Sequence, residues 1–388
     1  MKKYLIIGSS AAGLTAANNL AINNPDSQVI CLSAQNNLPY NKCLLTDFVT
    51  GKKNLNDLFL PISEKVKIVC DRAISLDVKS STVQTKTSVF EYDKLLIATG
   101  SSTYVPDFYK NILHCKNVFL FNSLDDAINL KNHFQNFSSS NVVVIGGGIT
   151  GLEIANVLRQ KNFNVTIIEK NQIVRLLHEK LAAKLKSILN DARIKILEDT
   201  QIQDFVINND YLKKIILNNE ILNIDILILT TGTKPNTQWL ENSPIQLQNG
   251  YVVTDSNLKT SIENIFAAGD CALVNNMINN EKIINNLWPD AVKQGFVASN
   301  NMLEKNTIYP GIFPNIVTNL NSKEITISGM CDNSKKFIEL NSKDNYQAFF
   351  ANQNDVVTGY FSVGNNQKNI AKVRDLILQQ KENWQELC

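Results

Sequence analysis

Asn141-Val-Val-Val-Ile-Gly-Gly-Gly-Ile-Thr-Gly151 is the stretch that decides the fold. Its apolar run reads as a buried strand, its glycines as a turn too tight for side chains, and Leu152 to Gln160 as the helix that follows. The next apolar run, Val165 to Ile168, ends at Glu169. The same order occurs earlier: Lys3 to Ile7, Gly8-Ser-Ser-Ala-Ala-Gly13, a small-residue helix from Leu14 to Ala21, and Val29 to Leu32. Each is a βαβ unit with parallel strands, and the two lie about 140 residues apart.

Two Asp-led strands, Tyr92 to Gly100 (YDKLLIATG) and Ile224 to Gly232 (IDILILTTG), close the two units. From Ile312 the pattern changes to short β-like runs, Ile316 to Leu320, Glu324 to Ser328, Tyr346 to Ala351 and Val356 to Val363, then a helix from Gln367 to Trp384. That tail reads as a separate α+β domain. The chain has 388 residues, 44% of them hydrophobic, enough for two or three cores. Its 38 Lys and Arg nearly balance 36 Asp and Glu, with no basic run, which argues against nucleic-acid or membrane-surface partners. No stretch approaches the ~20 apolar residues of a membrane span, and the four apolar residues between Lys3 and Gly8 are too few for a signal-peptide core, so a cytoplasmic address is expected.

Seven cysteines (Cys31, Cys43, Cys70, Cys115, Cys271, Cys331, Cys388) contain no CxxC pair, and His114, His133 and His178 are isolated. Zinc ribbons, ordinary iron-sulfur ligation and a thioredoxin-type dithiol are excluded on spacing, and no metal site is expected.

In a dinucleotide fingerprint the first glycine makes the turn, the second admits the pyrophosphate and the third lets helix and strand pack. Gly146, Gly148 and Gly151 fill all three positions. Glu169 suits an unmodified ribose and repels a 2′-phosphate, so NADH is expected over NADPH, which Lys170 and Arg175 favour only in part. In the first unit the candidate contacts are Gly8, Ser10, Ala12 and Gly13. Ser10 replaces the middle glycine, and Ser33 stands where a ribose-binding carboxylate is usual.

With Thr260-Ser-Ile-Glu-Asn-Ile-Phe-Ala-Ala-Gly-Asp270 added, residues 3 to 311 resemble the FAD-dependent pyridine nucleotide-disulfide oxidoreductase superfamily. The resemblance implies an α/β fold of two interleaved Rossmann-like domains: an FAD domain from 1–110 and 231–311, and an NAD domain from 111–230. A small α+β C-terminal domain, 312–388, commonly supports dimerisation in that family, so a homodimer is an expectation. It further implies that Asp270 holds the FAD ribityl chain and that Thr99, Gly100 and Gly232 lie at the cofactors.

Pro39-Tyr-Asn-Lys-Cys-Leu-Leu-Thr-Asp47 looks like the PYxR segment of the smaller NADH-dependent branch, which includes rubredoxin and ferredoxin reductases, the nitrite reductase flavin domain and NADH oxidases. Lys42 matches the FAD-contacting Arg, without its bidentate fork. The branch often pairs a Lys with a Glu near the flavin; Glu153 matches the Glu, whereas Asp47 stands in place of the Lys. Trp288, with Pro289 read as the first helical residue, marks a helix whose positive end faces the flavin in the family.

Glutathione-type reductases need a CxxxxC pair and a C-terminal His-Glu pair, and this chain has neither. The expected function is therefore an NADH-dependent flavoprotein that passes electrons through FAD to a small redox protein of rubredoxin or ferredoxin type. Cys43 leaves a second reading open: a Cys43-dependent NADH oxidase, peroxidase or coenzyme A disulfide reductase with a small-molecule acceptor, unless that thiol merely packs. A third reading, outside enzymes, is an NADH-sensing flavoprotein module.

Overall fold

The computed structural model describes residues 1–134, 140–284, 286–333, 336–341, 345–364 and 367–379. It divides into two compact units. The first comprises Met1–Leu45, Asn54–Ser102 and Thr233–Ile312; the second comprises Thr46–Lys53, Thr103–Gly232 and Phe313–Cys388. Residues 103–110, expected with the first nucleotide-binding fold, cluster with the second, and so does the C-terminal sheet.

The first unit is built on a five-stranded parallel sheet in the order Ile265–Ala267, Lys94–Ile97, Lys3–Ile7, Gln28–Ser33, Val66–Cys70. Leu5, Ile6, Leu95, Leu96 and Ile97 are all but fully buried, as the central strands of a covered parallel sheet must be. Helix Ala11–Asn23 packs on helix Trp288–Met302 at a glycine: a Cβ on Gly295 would lie 2.2 Å from the Ala12 carbonyl oxygen. The two backbones therefore touch. An antiparallel sheet, Ala73–Asp77, Thr82–Thr85 and Val89–Glu91, joins the same core through Leu76 and Val83.

The second unit repeats the plan. Its parallel sheet runs Lys195–Leu197, Asn164–Ile168, Asn141–Ile145, Ile226–Leu229, Val118–Leu120. It too carries a three-stranded antiparallel sheet, Ile202–Asn208, Tyr211–Leu217 and Ile221–Asn223. The C-terminal five-stranded antiparallel sheet, ordered Asn315–Leu320, Lys323–Gly329, Val357–Val363, Tyr346–Ala351, Lys336–Asn341, docks within this unit. Asn156 Nδ2 donates to the Asn319 carbonyl at 3.2 Å, its Oδ1 accepts the Asn321 amide at 2.8 Å, and the His178 ring stacks on Phe337 at 4.6 Å. The last helix is described over Gln367–Gln379; the remainder of the expected span to Trp384, and Cys388, lie outside the described residues.

Among the described residues no helix is long and apolar enough to cross a membrane, and no group of three or more His, Cys, Asp or Glu could hold a metal ion. The backbone contact at Gly295 leaves no room for a methyl group. Gly295→Ala is expected to destabilise the protein by about 1–3 kcal/mol, read as a lower denaturation midpoint; an unchanged midpoint would show that the two helices can part without loss.

Candidate functional site

Gly8 adopts φ +113°, and a Cβ on it would lie 2.1 Å from the Ala98 carbonyl oxygen. A Cβ on Gly13 would lie 1.8 Å from the Gly8 carbonyl oxygen, so both outer glycines are required. Ser10 is the N-cap of helix Ala11–Asn23, exposed and at φ −90°, a conformation any residue adopts. Its side chain makes no capping bond, and the first turn holds no acidic residue. The positive helix end is thus open to an anion. Ala12 is buried, with its carbonyl in the seam against Gly295. Ser33 is buried, and its hydroxyl donates to the Gln35 carbonyl at 2.9 Å and accepts the Gln35 amide at 3.3 Å.

Asp270 follows Gly269, which takes φ +80°. Ser101 Oγ donates to Asp270 Oδ2 at 2.9 Å. Burial pushes the Asp270 carboxyl above its ordinary pKa, while the Lys42 charge and the Ser101 bond pull the other way. The fully buried Gln294 accepts the Gly269 amide at 2.8 Å, fixing the turn from helix Trp288–Met302. Asn236 steadies the Thr99-Gly100 turn, with its Nδ2 on the Thr99 carbonyl and its amide on the Gly100 carbonyl, both at 3.0 Å. Trp288 is the first helical residue, so Pro289 sits one position further in than expected; its missing amide proton is equally dispensable there, within the first turn. Asp290 adds a negative charge to that turn.

Cys43 lies on the short 3-10 turn Lys42–Leu44, exposed, with its amide donating to Asn41 Oδ1 at 3.0 Å. Cys31, Cys115, Cys271 and Cys331 are buried, and burial pushes each thiol up, Cys31 to about 12. Cys70 is the other exposed thiol among the described residues, beside the Gln35 carbonyl. Asp47 lies in the first turn of helix Leu45–Val49, with its Oδ1 3.9 Å from Lys52 Nζ.

In the second unit a Cβ on Gly146, at φ +110°, would lie 2.4 Å from the Thr230 carbonyl oxygen, and one on Gly151 would lie 2.0 Å from that of Gly146. Gly148 caps helix Ile149–Gln160, whose first turn also lacks acidic residues. Glu169 Oε2 accepts the Gly147 amide at 2.7 Å and Oε1 the Asn171 amide at 3.0 Å, which holds the carboxylate at the mouth of the turn. Gly232 is exposed at φ +100°, its carbonyl accepting the Tyr104 amide at 2.9 Å. Glu153 is partly buried on the second helix, and its Oε1 accepts Thr318 Oγ1 at 2.7 Å. Burial raises its pKa, and the Thr318 bond opposes this in part.

Each unit thus offers an uncapped, acid-free helix N-terminus behind a glycine turn, with a carboxylate nearby, and these fit two dinucleotides. Ser101, Asn236, Gln294 and Thr318 were not apparent from the sequence. Ser101 and Asn236 directly follow or closely trail the two Thr-Gly strand ends, which is the one signal that could have found them.

The family model described as pyridine nucleotide-disulphide oxidoreductase matches residues 2–295. The NAD(P)H coenzyme A polysulfide/persulfide reductase of Pyrococcus horikoshii is 26% identical over 347 residues, 85% of this chain and 76% of its own length. The NADH oxidase of Methanocaldococcus jannaschii is 24% identical over 343 residues, 84% of this chain and 76% of its own. Among solved structures, an NAD-dependent persulfide reductase from A. fulgidus superimposes with a TM-score of 0.92 at 21% identity, over 99% of this chain and 78% of that one. Putidaredoxin reductase in covalent complex with putidaredoxin gives 0.90 at 19% identity, over 98% and 93%. With both glycine turns, the Asp270 segment and a family match over most of its length, the chain belongs to the pyridine nucleotide-disulphide oxidoreductase family, and is an oxidoreductase that uses FAD and NAD(P)H.

Proposed function

We propose that this protein oxidises NADH and passes the electron pair to a small molecule whose sulfur–sulfur bond reacts at Cys43. The observation that carries this reading is the exposure of Cys43 one residue from Lys42, whose charge acts on Asp270. This places it ahead of the redox-protein acceptor, which the sequence puts first because the chain has no dithiol and Cys43 is open to a packing role. Bound FAD supplies the hydride acceptor. The first unit would hold it through the helix end at Ser10, the Asp270 carboxylate and Lys42.

The Cys43 thiolate attacks the S–S bond of a disulfide or persulfide, forming a mixed disulfide and expelling the other sulfur as a thiolate that takes up a proton. Two electrons and a proton from NADH then return Cys43 to the thiolate and release the second product as a thiol, the first leaving thiolate having taken its proton from solvent. The curated relatives named above include a coenzyme A persulfide reductase and an NADH oxidase, which supports a small-molecule acceptor. A rubredoxin-like or ferredoxin-like acceptor is the second reading, favoured by the fold match to a reductase bound to its redoxin.

Glu169 is the proposed NADH ribose ligand. Its charge selects against a 2′-phosphate. Glu153 is proposed as a carboxyl of the second unit that holds a proton, since burial favours its neutral form.

Cys43→Ser is expected to lower NADH-driven reduction of coenzyme A disulfide or persulfide by ~100-fold or more while NADH:ferricyanide activity persists. Equal loss on both acceptors, or on neither, would remove Cys43 from the reaction. Glu169→Gln should raise the KM for NADH about ten-fold and erode the preference over NADPH, measured by steady-state kinetics with both cofactors. For Glu153 the folded-state pKa lies above the unfolded one, so the stabilisation is complete below the ordinary value of 4.5 and is lost as pH rises through the folded pKa. Glu153→Gln keeps an acceptor for Thr318 but cannot ionise. Its Tm should therefore hold up better than that of the wild type as pH is raised from the ordinary Glu range; parallel Tm profiles would show that Glu153 is already charged in the fold.

A further inference from the structure

We propose that Tyr309 is a positioning residue of the flavin site: through Gln294, its hydroxyl fixes the Gly269 turn that presents Asp270 to FAD. The proposal deepens the assignment of Asp270 to FAD above and rests on it. Tyr309 is 3% exposed, and all the groups concerned lie in the first unit. Asp290 and Gln294 stand four residues apart on helix Trp288–Met302, hence on one face. The Tyr309 hydroxyl sits between them, 3.4 Å from Asp290 Oδ1 and 3.4 Å from Gln294 Nε2. At the other end of the Gln294 amide, Oε1 accepts the Gly269 amide at 2.8 Å.

The rules of donor and acceptor leave this chain of bonds one direction. The Gly269 amide can only donate, so the end of Gln294 that meets it is the carbonyl oxygen, and the end turned to Tyr309 is the NH2 group. That group can only donate, so the phenolic oxygen accepts from it and the single phenolic proton goes to the Asp290 carboxylate. Every bond then points toward the same negative charge, and bonds in such a series strengthen one another. Burial pushes the Tyr309 phenol up and the Asp290 charge adds to this, so the hydroxyl keeps the proton it donates. Without that hydroxyl the Gln294 amide is free to turn over. Two donors would then face each other at Gly269, in a buried place where an unmade bond is costly.

Both ends of the relay are anchored. The Tyr309 amide donates to the Ser256 carbonyl at 2.7 Å, and Lys293 Nζ lies over the tyrosine ring, 5.6 Å from its centroid. At the other end a Cβ on Gly269 would lie 3.2 Å from Ala12 Cβ and 3.9 Å from Ala291 Cβ, so the turn is wedged between helices Ala11–Asn23 and Trp288–Met302. The Gly269 peptide leads directly into Asp270, whose Oδ2 accepts Ser101 Oγ at 2.9 Å. A rotation of that peptide therefore moves the carboxylate.

The test follows release of FAD from the full-chain holoenzyme on dilution, read by flavin fluorescence. Tyr309→Phe, which keeps the ring, should raise the FAD Kd about ten-fold, and Gln294→Leu at least as much. The double variant should bind no more weakly than Gln294→Leu alone, because a residue that acts through Gln294 has no effect once that side chain is gone. Asp290→Ala should weaken FAD in the same direction, and Asp290→Asn, which keeps an acceptor for the phenolic proton, should bring the Kd back to within about two-fold of the wild type. If Tyr309→Phe holds FAD like the wild type, or if its effect and that of Gln294→Leu add, while Asp270→Asn weakens FAD, the relay is wrong and the Asp270 reading stands. If Asp270→Asn holds FAD like the wild type, whatever Tyr309→Phe does, the Asp270 reading itself fails, and the relay with it.

Discussion

Two backbone carbonyls set the architecture. The Gly8 oxygen occupies the space a Cβ on Gly13 would need, at 1.8 Å, and the Gly146 oxygen does the same to Gly151, at 2.0 Å. Each contact draws a helix down onto the turn that leaves its parent strand, so that the helix axis, and with it the positive end of its dipole, points at one place above the carboxyl edge of the sheet. The second helix of the first unit repeats the device, with Gly295 against the Ala12 oxygen. Remove any of these approaches and the anion-binding corner moves, even if every polar residue of the site survives.

The middle position of each turn obeys a different constraint. Ser10 and Gly148 both have ordinary extended backbones, and nothing lies within 4 Å of a Cβ built on Gly148. The fold itself does not require glycine there; only a ligand pressed against the backbone does. Ser10 therefore leaves the first βαβ unit intact while narrowing the approach of the pyrophosphate. The loss of that glycine reads as a weak fingerprint in sequence and as a small steric change in structure.

The parallel strands and the glycine turns were legible because their signals are local: apolar runs of fixed length, and glycines at positions with positive φ. The two antiparallel insertions were not, since the first strand of each is mostly exposed with no alternation of period two, amid recurrent Asn, which also marks turns. Asp270 was identifiable from its segment, but its partner Ser101 is 169 residues away, and Thr318 is 165 residues from Glu153. No periodicity encodes such pairs. Gln294 carries no signal of its own in the sequence; only the fold shows it buried against the Gly269 amide.

Glu153 shows how a change of partner alters chemistry without altering position. A lysine beside it would hold the carboxyl ionised by direct charge. Glu153 is bonded instead by the Thr318 hydroxyl. A neutral donor stabilises the carboxylate far less than an ammonium does, so burial prevails and the pKa rises. The carboxyl can then keep a proton that an ion pair would have expelled. Thr318 belongs to the C-terminal sheet, so the effect of burial on a residue of the nucleotide-binding fold is tempered by a strand that contributes nothing to that fold's own sheet.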